Sequence, residues 1–231
     1  MTVANSSVPA LGLSHRPSRP VSCPGMVNVS TRREIYAVAA LLADFPRPWA
    51  FCGDWAIDLF LDRQTRAHKD IDVAVARRDQ LEAQAYLTER GWRLQIAHQG
   101  TLTDWPPGEY LELPRHGIWG RHRSFEPDFL EVLLNEIEDG IFHFRRDQAI
   151  VCPLDQAFTR APSGLSILAP EIALLYKSSS LEPDNWADLR AMLPALNAAR
   201  RAWLGATLAR HDPRHPWLAE LDAPAQQVES A

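Results

Sequence analysis

Apolar and polar positions along this chain recur with two different periods, and the changes of period mark its elements. After Ser30 and Thr31, which offer N-caps, the stretch Arg33 to Asp44 carries Ile35, Val38, Ala39, Leu41 and Leu42 at helical spacing, predicting a helix packed on a sheet. A short apolar run, Trp49 to Cys52, is broken by Gly53 and followed by Trp55 to Leu61 with helical period, which reads as strand, turn, helix. Asp70 to Val75 alternates as a strand, Arg78 to Arg90 reads as a helix stopped by Gly91, and Trp92 to Ala97 as another strand. The segment 100 to 125 is dense in Pro, Gly, Trp and charge, and within it Tyr110 to Leu113 suggests a strand. Phe129 to Leu134 reads as a strand, Gly140 to Phe144 as its partner across a turn, and Ile150 to Val151 as a third short piece.

Beyond Ser163 and Gly164 the pattern turns helical. Pro170 opens Glu171 to Ser178, Asp184 opens a segment to Leu193, and Leu196 to Arg210 follows. At the other end, residues 1 to 32 are rich in Pro, Ser and Val, with Pro9, Pro17, Pro20 and Pro24, and show no sustained period. They read as a flexible leader, and Met26 is an alternative start. The expected organisation is therefore a leader over 1–32, a domain over 33–164 with a small mixed sheet flanked by helices, and a helical part over 165–231. The fold class is α/β (α+β), with no internal repeat.

Composition narrows what such a fold can do. The chain has 231 residues, 46% hydrophobic and 23% charged, the balance of a globular protein with a sizeable core. A formal net charge of −5 supplies no global basic field, which disfavours a polynucleotide partner. Cys23, Cys52 and Cys152 are widely scattered without metal-ligand or disulfide-framework spacing. No apolar run approaches the roughly 20 residues of a membrane helix, and the N-terminus lacks the order of a secretory signal, so the expected compartment is the cytoplasm.

Candidate chemistry concentrates between Gly53 and Val75. On a strand, residues i and i+2 share a face, so Asp70 and Asp72 project together while Ile71 and Val73 point to the core. Two carboxylates so placed can share Mg²⁺, which prefers oxygen ligands and keeps several waters. Phosphoryl and nucleotidyl transfer need this pairing because the triphosphate is polyanionic and its oxygens must be aligned. The turn at Gly53 would let backbone N–H groups and a helix N-terminus approach phosphate. A solvated Asp-x-Asp pair, salt-bridged to Lys69 or Arg77, is the alternative.

The run Gly53-Asp54-Trp55-Ala56-Ile57-Asp58-Leu59-Phe60-Leu61, with Thr65-Arg66-x-His68-Lys69-Asp70-Ile71-Asp72, resembles the nucleotidyltransferase superfamily. Within it the likeness is to aminoglycoside adenylyltransferase-like (aminoglycoside 2''-nucleotidyltransferase-type) proteins. It extends weakly to Arg145-Arg146, to Ala169-Pro170-Glu171 with Leu174 to Lys177, and to His215-Pro216-Trp217-Leu218. The resemblance implies a Mg²⁺-dependent enzyme that transfers a nucleoside monophosphate, AMP from ATP, to a hydroxyl of a small molecule such as an aminoglycoside-like antibiotic. It implies a third carboxylate on a neighbouring strand, for which Glu131 is the candidate as metal ligand or general base and Asp128 the rival. It also implies that Lys177 approaches the nucleotide phosphates, although a helix-end cation serving the dipole reads equally well.

Two positions depart from the family pattern. Asp54 stands where a second turn glycine is usual, placing a carboxylate where triphosphate would approach. Asp184-Asn185 replaces a basic Lys-Asp pair. These departures keep open a non-catalytic relative that binds a ligand or partner. The stretch Arg115-His116 with Arg121-His122-Arg123 keeps open a toxin-like enzyme acting on tRNA or protein. His211 and His215 are separated by Pro213, which argues against a helical metal site. Trp55 reads as core, and Trp105 with Pro106-Pro107 as a candidate lid. Acceptor, base preference and oligomeric state are not specified by the sequence.

Overall fold

The computed structural model describes residues 30–222. Most of the expected leader, the alternative start at Met26, Cys23 and residues 223–231 lie outside the described residues.

Helix α1 (Arg32–Leu41) opens on a capping box, with the backbone N–H of Thr31 donating to the Glu34 carboxylate at 2.6 Å. It buries Ile35 and Val38 in the hydrophobic core. Strand β1 (Trp49–Cys52) runs into α2 (Gly53–Phe60), and β2 (Asp72–Ala76) follows a loop. A 3₁₀ turn over Arg77–Asp79 leads to α3 (Gln80–Glu89), shorter than the expected helix. Then come β3 (Arg93–His98), β4 (Thr101–Asp104), β5 (Gly117–Arg121), β6 (Phe129–Glu138), β7 (Ile141–His143) and β8 (Val151–Pro153). The short α4 (Leu154–Ala157) precedes β9 (Phe158–Arg160) and β10 (Ser166–Leu168). Helices α5 (Pro170–Lys177), α6 (Pro183–Met192), α7 (Ala198–His211) and α8 (Trp217–Asp222) complete the described chain.

The sheet is mixed, as expected. Its order is β4-β3-β5-β6-β2-β1-β10-β9, with β7 and β8 as a branch from β6. β2 with β6 and β1 with β10 are parallel, and the other pairs are antiparallel. β10 lies beyond the expected start of the helical part near 165. Its three residues are too few to show a period, yet Ile167 and Leu168 are buried beside β1.

The segment 100 to 125 departs most from expectation. Its strands are β4 and β5, while Tyr110 to Leu113 is loop. Leu111 is buried without a strand partner because the Gln80 side chain serves both its backbone groups. The Leu111 N–H donates to Gln80 Oε1 at 2.7 Å, and Gln80 Nε2 donates to the Leu111 carbonyl at 3.2 Å. A side-chain amide thus does the work of a ladder. The expected lid is corrected too: Trp105 is 6% exposed in the core, its indole donating to the Glu109 carbonyl at 2.8 Å. Trp55 is core as expected.

No described helix is long and apolar enough to cross a membrane.

Candidate active site

One row of residues crosses the sheet in register. Cys52 pairs with Asp72, Asp72 with Glu131, Glu131 with Trp119, Trp119 with Gln95, and Gln95 with Asp104. Directly paired residues share a face, so Asp72 and Glu131 stand side by side at the adjoining ends of two parallel strands. Asp70 lies just before β2, where the chain still tracks β6 through a hydrogen bond from Glu131 N to the Ile71 carbonyl at 2.9 Å. Carboxylate oxygens of Asp70, Asp72 and Glu131 lie within 4.8 Å of one another. Asp128, the rival for the third position, is exposed and outside this group.

Gly53 is required twice. Its φ is +62°, the left-handed region that disfavours a side chain, and a Cβ there would fall 2.0 Å from Asp72 Oδ2. The backbone entering α2 therefore passes directly against the acidic group.

The other motif residues hold this turn and the loop that delivers Asp70. Asp58, fully buried on α2, accepts from Thr65 N at 3.0 Å and Thr65 Oγ1 at 2.5 Å, and pairs with His68 Nε2. His68 Nδ1 lies 3.6 Å from Asp54 Oδ2, and the His68 carbonyl accepts from Ser30 N at 2.8 Å. Burial opposes a charge on His68, but the Asp54 and Asp58 carboxylates outweigh it and raise its pKa to about 9. The imidazolium is a structural cation between two carboxylates.

Asp54 does not project as an isolated charge. Its Oδ1 meets Arg66 Nη2 at 2.7 Å and also Lys177 Nζ, while Asp188 Oδ2 meets the same two cations at 3.0 and 2.7 Å. Burial would push the Asp54 carboxyl up, but His68, Lys177 and Arg66 prevail and hold it well below the usual carboxylate range. Burial likewise disfavours the Lys177 ammonium, and Asp54 and Asp188 reverse that, raising its pKa. Lys177 ends α5 in an ion-pair cluster rather than in solvent.

Asp188 is the residue that sequence reasoning missed. It sits on α6, 122 positions from its partner Arg66, and a lone Asp on a helix carries no local signal of that pairing. The expected departure at Asp184-Asn185 lies nearby, with Asp184 only 3.8 Å from Arg66 Nη1 and largely exposed.

Other singled-out residues stand apart. Arg77 is engaged by Glu136 at 2.7 Å and by two backbone carbonyls, so it does not neutralise the Asp-x-Asp pair. Arg115 pairs with Glu109, Arg121 lies over Phe129, and His122 meets the Arg90 carbonyl. His215 meets the Ser178 carbonyl at 2.9 Å, tying the last helix to the end of α5, while His211 is exposed at the end of α7.

The mixed sheet flanked by helices, with carboxylates at the adjoining ends of two parallel strands, is similar in fold to solved nucleotidyltransferase structures. Residues 34–111, which contain Gly53, Asp70 and Asp72, match the model of the Aminoglycoside-2''-adenylyltransferase family, bearing out the resemblance read from the sequence. Solved structures of similar fold include a lincosamide antibiotic adenylyltransferase, LnuA, with lincomycin bound. It is 17% identical, with a TM-score of 0.53 over 71% of this chain and 98% of that one. The antibiotic-resistance factor ANT(2'')-Ia in solution is 18% identical, with a TM-score of 0.52 over 78% of this chain and 91% of that one. ANT(2'')-Ia in complex with adenylyl-2''-tobramycin gives 17%, 0.51, 78% and 99% respectively. No curated protein sequence matches this chain.

Proposed function

We propose that this protein transfers AMP from ATP to a hydroxyl group of a small antibiotic-like molecule and releases pyrophosphate. The observation that carries the reading is the convergence of Asp70, Asp72 and Glu131 within 4.8 Å beside the glycine turn. The donor set fits Mg²⁺, because it consists of hard carboxylate oxygens and a divalent cation relieves the repulsion among them. When bound, Mg²⁺ supplies charge neutralisation and alignment of the attacking and leaving oxygens.

The chain's own residues would divide the remaining work. Asp70 and Asp72 would hold the metal, and strand pairing sets Asp72 beside Glu131. Glu131 either completes the metal site or accepts the proton of the acceptor hydroxyl at a carboxylate oxygen. Gly53 keeps the first turn of α2 close enough for backbone N–H groups to face phosphate. Lys177 and Arg66 stand beside that turn through their contacts to Asp54.

The test is calorimetric titration with a non-hydrolysable ATP analogue, with and without Mg²⁺, beside the Asp70→Asn/Asp72→Asn double variant. Pyrophosphate release is then measured over panels of aminoglycosides and lincosamides. Mg²⁺-dependent binding that is lost in the folded variant, with release driven by one panel, is the expected result. Absence of nucleotide binding by the wild-type protein overturns the proposal.

A further inference from the structure

We propose that Asp54 is a built-in stand-in for phosphate: it holds Lys177 and Arg66 beside the site, and a bound triphosphate must displace it to reach them. The inference rests on the nucleotide-binding reading above.

Position supports it first. Asp54 is the second residue of α2, an eight-residue helix, and follows the glycine whose backbone abuts Asp72. A triphosphate engaged through Asp70, Asp72 and Glu131 would run along this turn. Lys177 and Arg66, beside this turn, are already gripped by Asp54.

Charge supports it next. Asp54 and Asp188 each bridge Arg66 and Lys177, and the His68 imidazolium, paired with Asp58, also borders Asp54, so the anions and cations of this cluster match in number. Left intact, this cluster offers a polyanion no net attraction. One of its carboxylates must leave before both cations can serve phosphate.

Exposure decides which one leaves. The Asp188 side chain is 2% exposed and that of Asp54 23%. Withdrawing Asp188 would strand a buried charge, whereas Asp54 can turn toward solvent and leave His68 paired with Asp58. Carboxylate and phosphate present similar oxygen acceptors to an ammonium and a guanidinium, so the exchange preserves the bonding of both cations. The usual glycine at this position would leave Lys177 and Arg66 a single carboxylate, Asp188, and a readier grip on the ligand. Asp54 therefore sets nucleotide affinity, and its displacement is subtracted from the binding energy.

The experiment titrates wild-type protein, Asp54→Asn and Asp54→Gly with the non-hydrolysable ATP analogue and Mg²⁺, each with and without Lys177→Met. Circular dichroism confirms folding, and the glycine variant serves if the asparagine variant does not fold. Removing Asp54 should tighten nucleotide binding about tenfold and lower the Tm of the nucleotide-free protein. Displacement further requires that Lys177→Met cost a larger factor in affinity when Asp54 is absent, because the lysine then surrenders no partner. Unchanged or weaker binding by the Asp54 variants, beside normal binding by wild type, overturns the inference and leaves the proposed function standing. Tighter binding with an equal Lys177 cost in both backgrounds also overturns it, reducing Asp54 to through-space repulsion. Failure of every protein to bind overturns both proposals.

Discussion

Gly53 holds left-handed backbone at φ +62°, and the space where its Cβ would go is taken by Asp72 Oδ2 at 2.0 Å. Gly53→Ala should lose about 1 kcal/mol from backbone strain alone and move Asp72 away from Glu131. Thermal unfolding and nucleotide titration check this, and unchanged Mg²⁺-dependent affinity in the alanine variant would refute it. His68 gives a second prediction, with its sign set by two carboxylates. Its folded pKa is raised to about 9 from 6.5, so its stabilisation is fully present below pH 6.5 and is lost as pH rises through about 9. Tm should fall between about pH 6.5 and 9.5 in wild type, and the difference between wild type and a folded His68→Gln protein should shrink over that window. A difference independent of pH would show that the imidazolium contributes nothing.

Between elements, the contacts that matter are few and specific. Asp188 joins α6 to Lys177 at the end of α5 and to Arg66 in the loop before β2. Replacing it with Ala leaves Lys177 with Asp54 and leaves Arg66 with Asp54 and the exposed, more distant Asp184, and breaking such a buried pair costs about 3 kcal/mol. Denaturant unfolding should show that loss, together with weaker nucleotide binding because both cations move. Gln80 plays the corresponding part for the loop around Leu111. Gln80→Ala leaves the buried Leu111 N–H without its side-chain partner, at about 1–3 kcal/mol, while the carbonyl keeps Arg77 Nη1 at 2.8 Å, and the urea midpoint should fall accordingly. An unaltered midpoint would mean that the loop finds other partners.

For the molecule as a whole, the sheet and the following helices share contacts on both sides of Gly164. β10 pairs with β1 and with β9, and α5 starts two residues later, carrying Tyr176 onto Phe144 and Lys177 onto Asp54. We therefore propose that the 33–164 and 165–231 regions are a division of sequence texture within one cooperative unit. A chain ending at Gly164 would lose β10, one of the two partner strands of β1, and the Lys177 cation of the ion-pair cluster, and should show no cooperative thermal transition by circular dichroism. A sharp transition in that fragment would establish two independent units.

Much of the site is legible in the order of residues along the chain. A strand's two-residue period puts Asp70 and Asp72 on one face, an apolar run around Glu131 marks a neighbouring strand, and a glycine between strand and helix marks a tight turn. These signals are local, since each lies within a few residues of backbone whose geometry is fixed by its period. The sequence alone therefore determined the mixed sheet with flanking helices and the three carboxylates that the fold brings together. Tertiary structure alone decided that Asp54 sits between Lys177 and Arg66, that Asp188 closes the same cluster from α6, and that Leu111 is buried through a glutamine. It also decided that a short strand after Gly164 rejoins the sheet. Asp188 and Arg66, like Asp54 and Lys177, lie more than a hundred positions apart, and the energy of an ion pair depends on separation in space, on which period and spacing along the chain are silent.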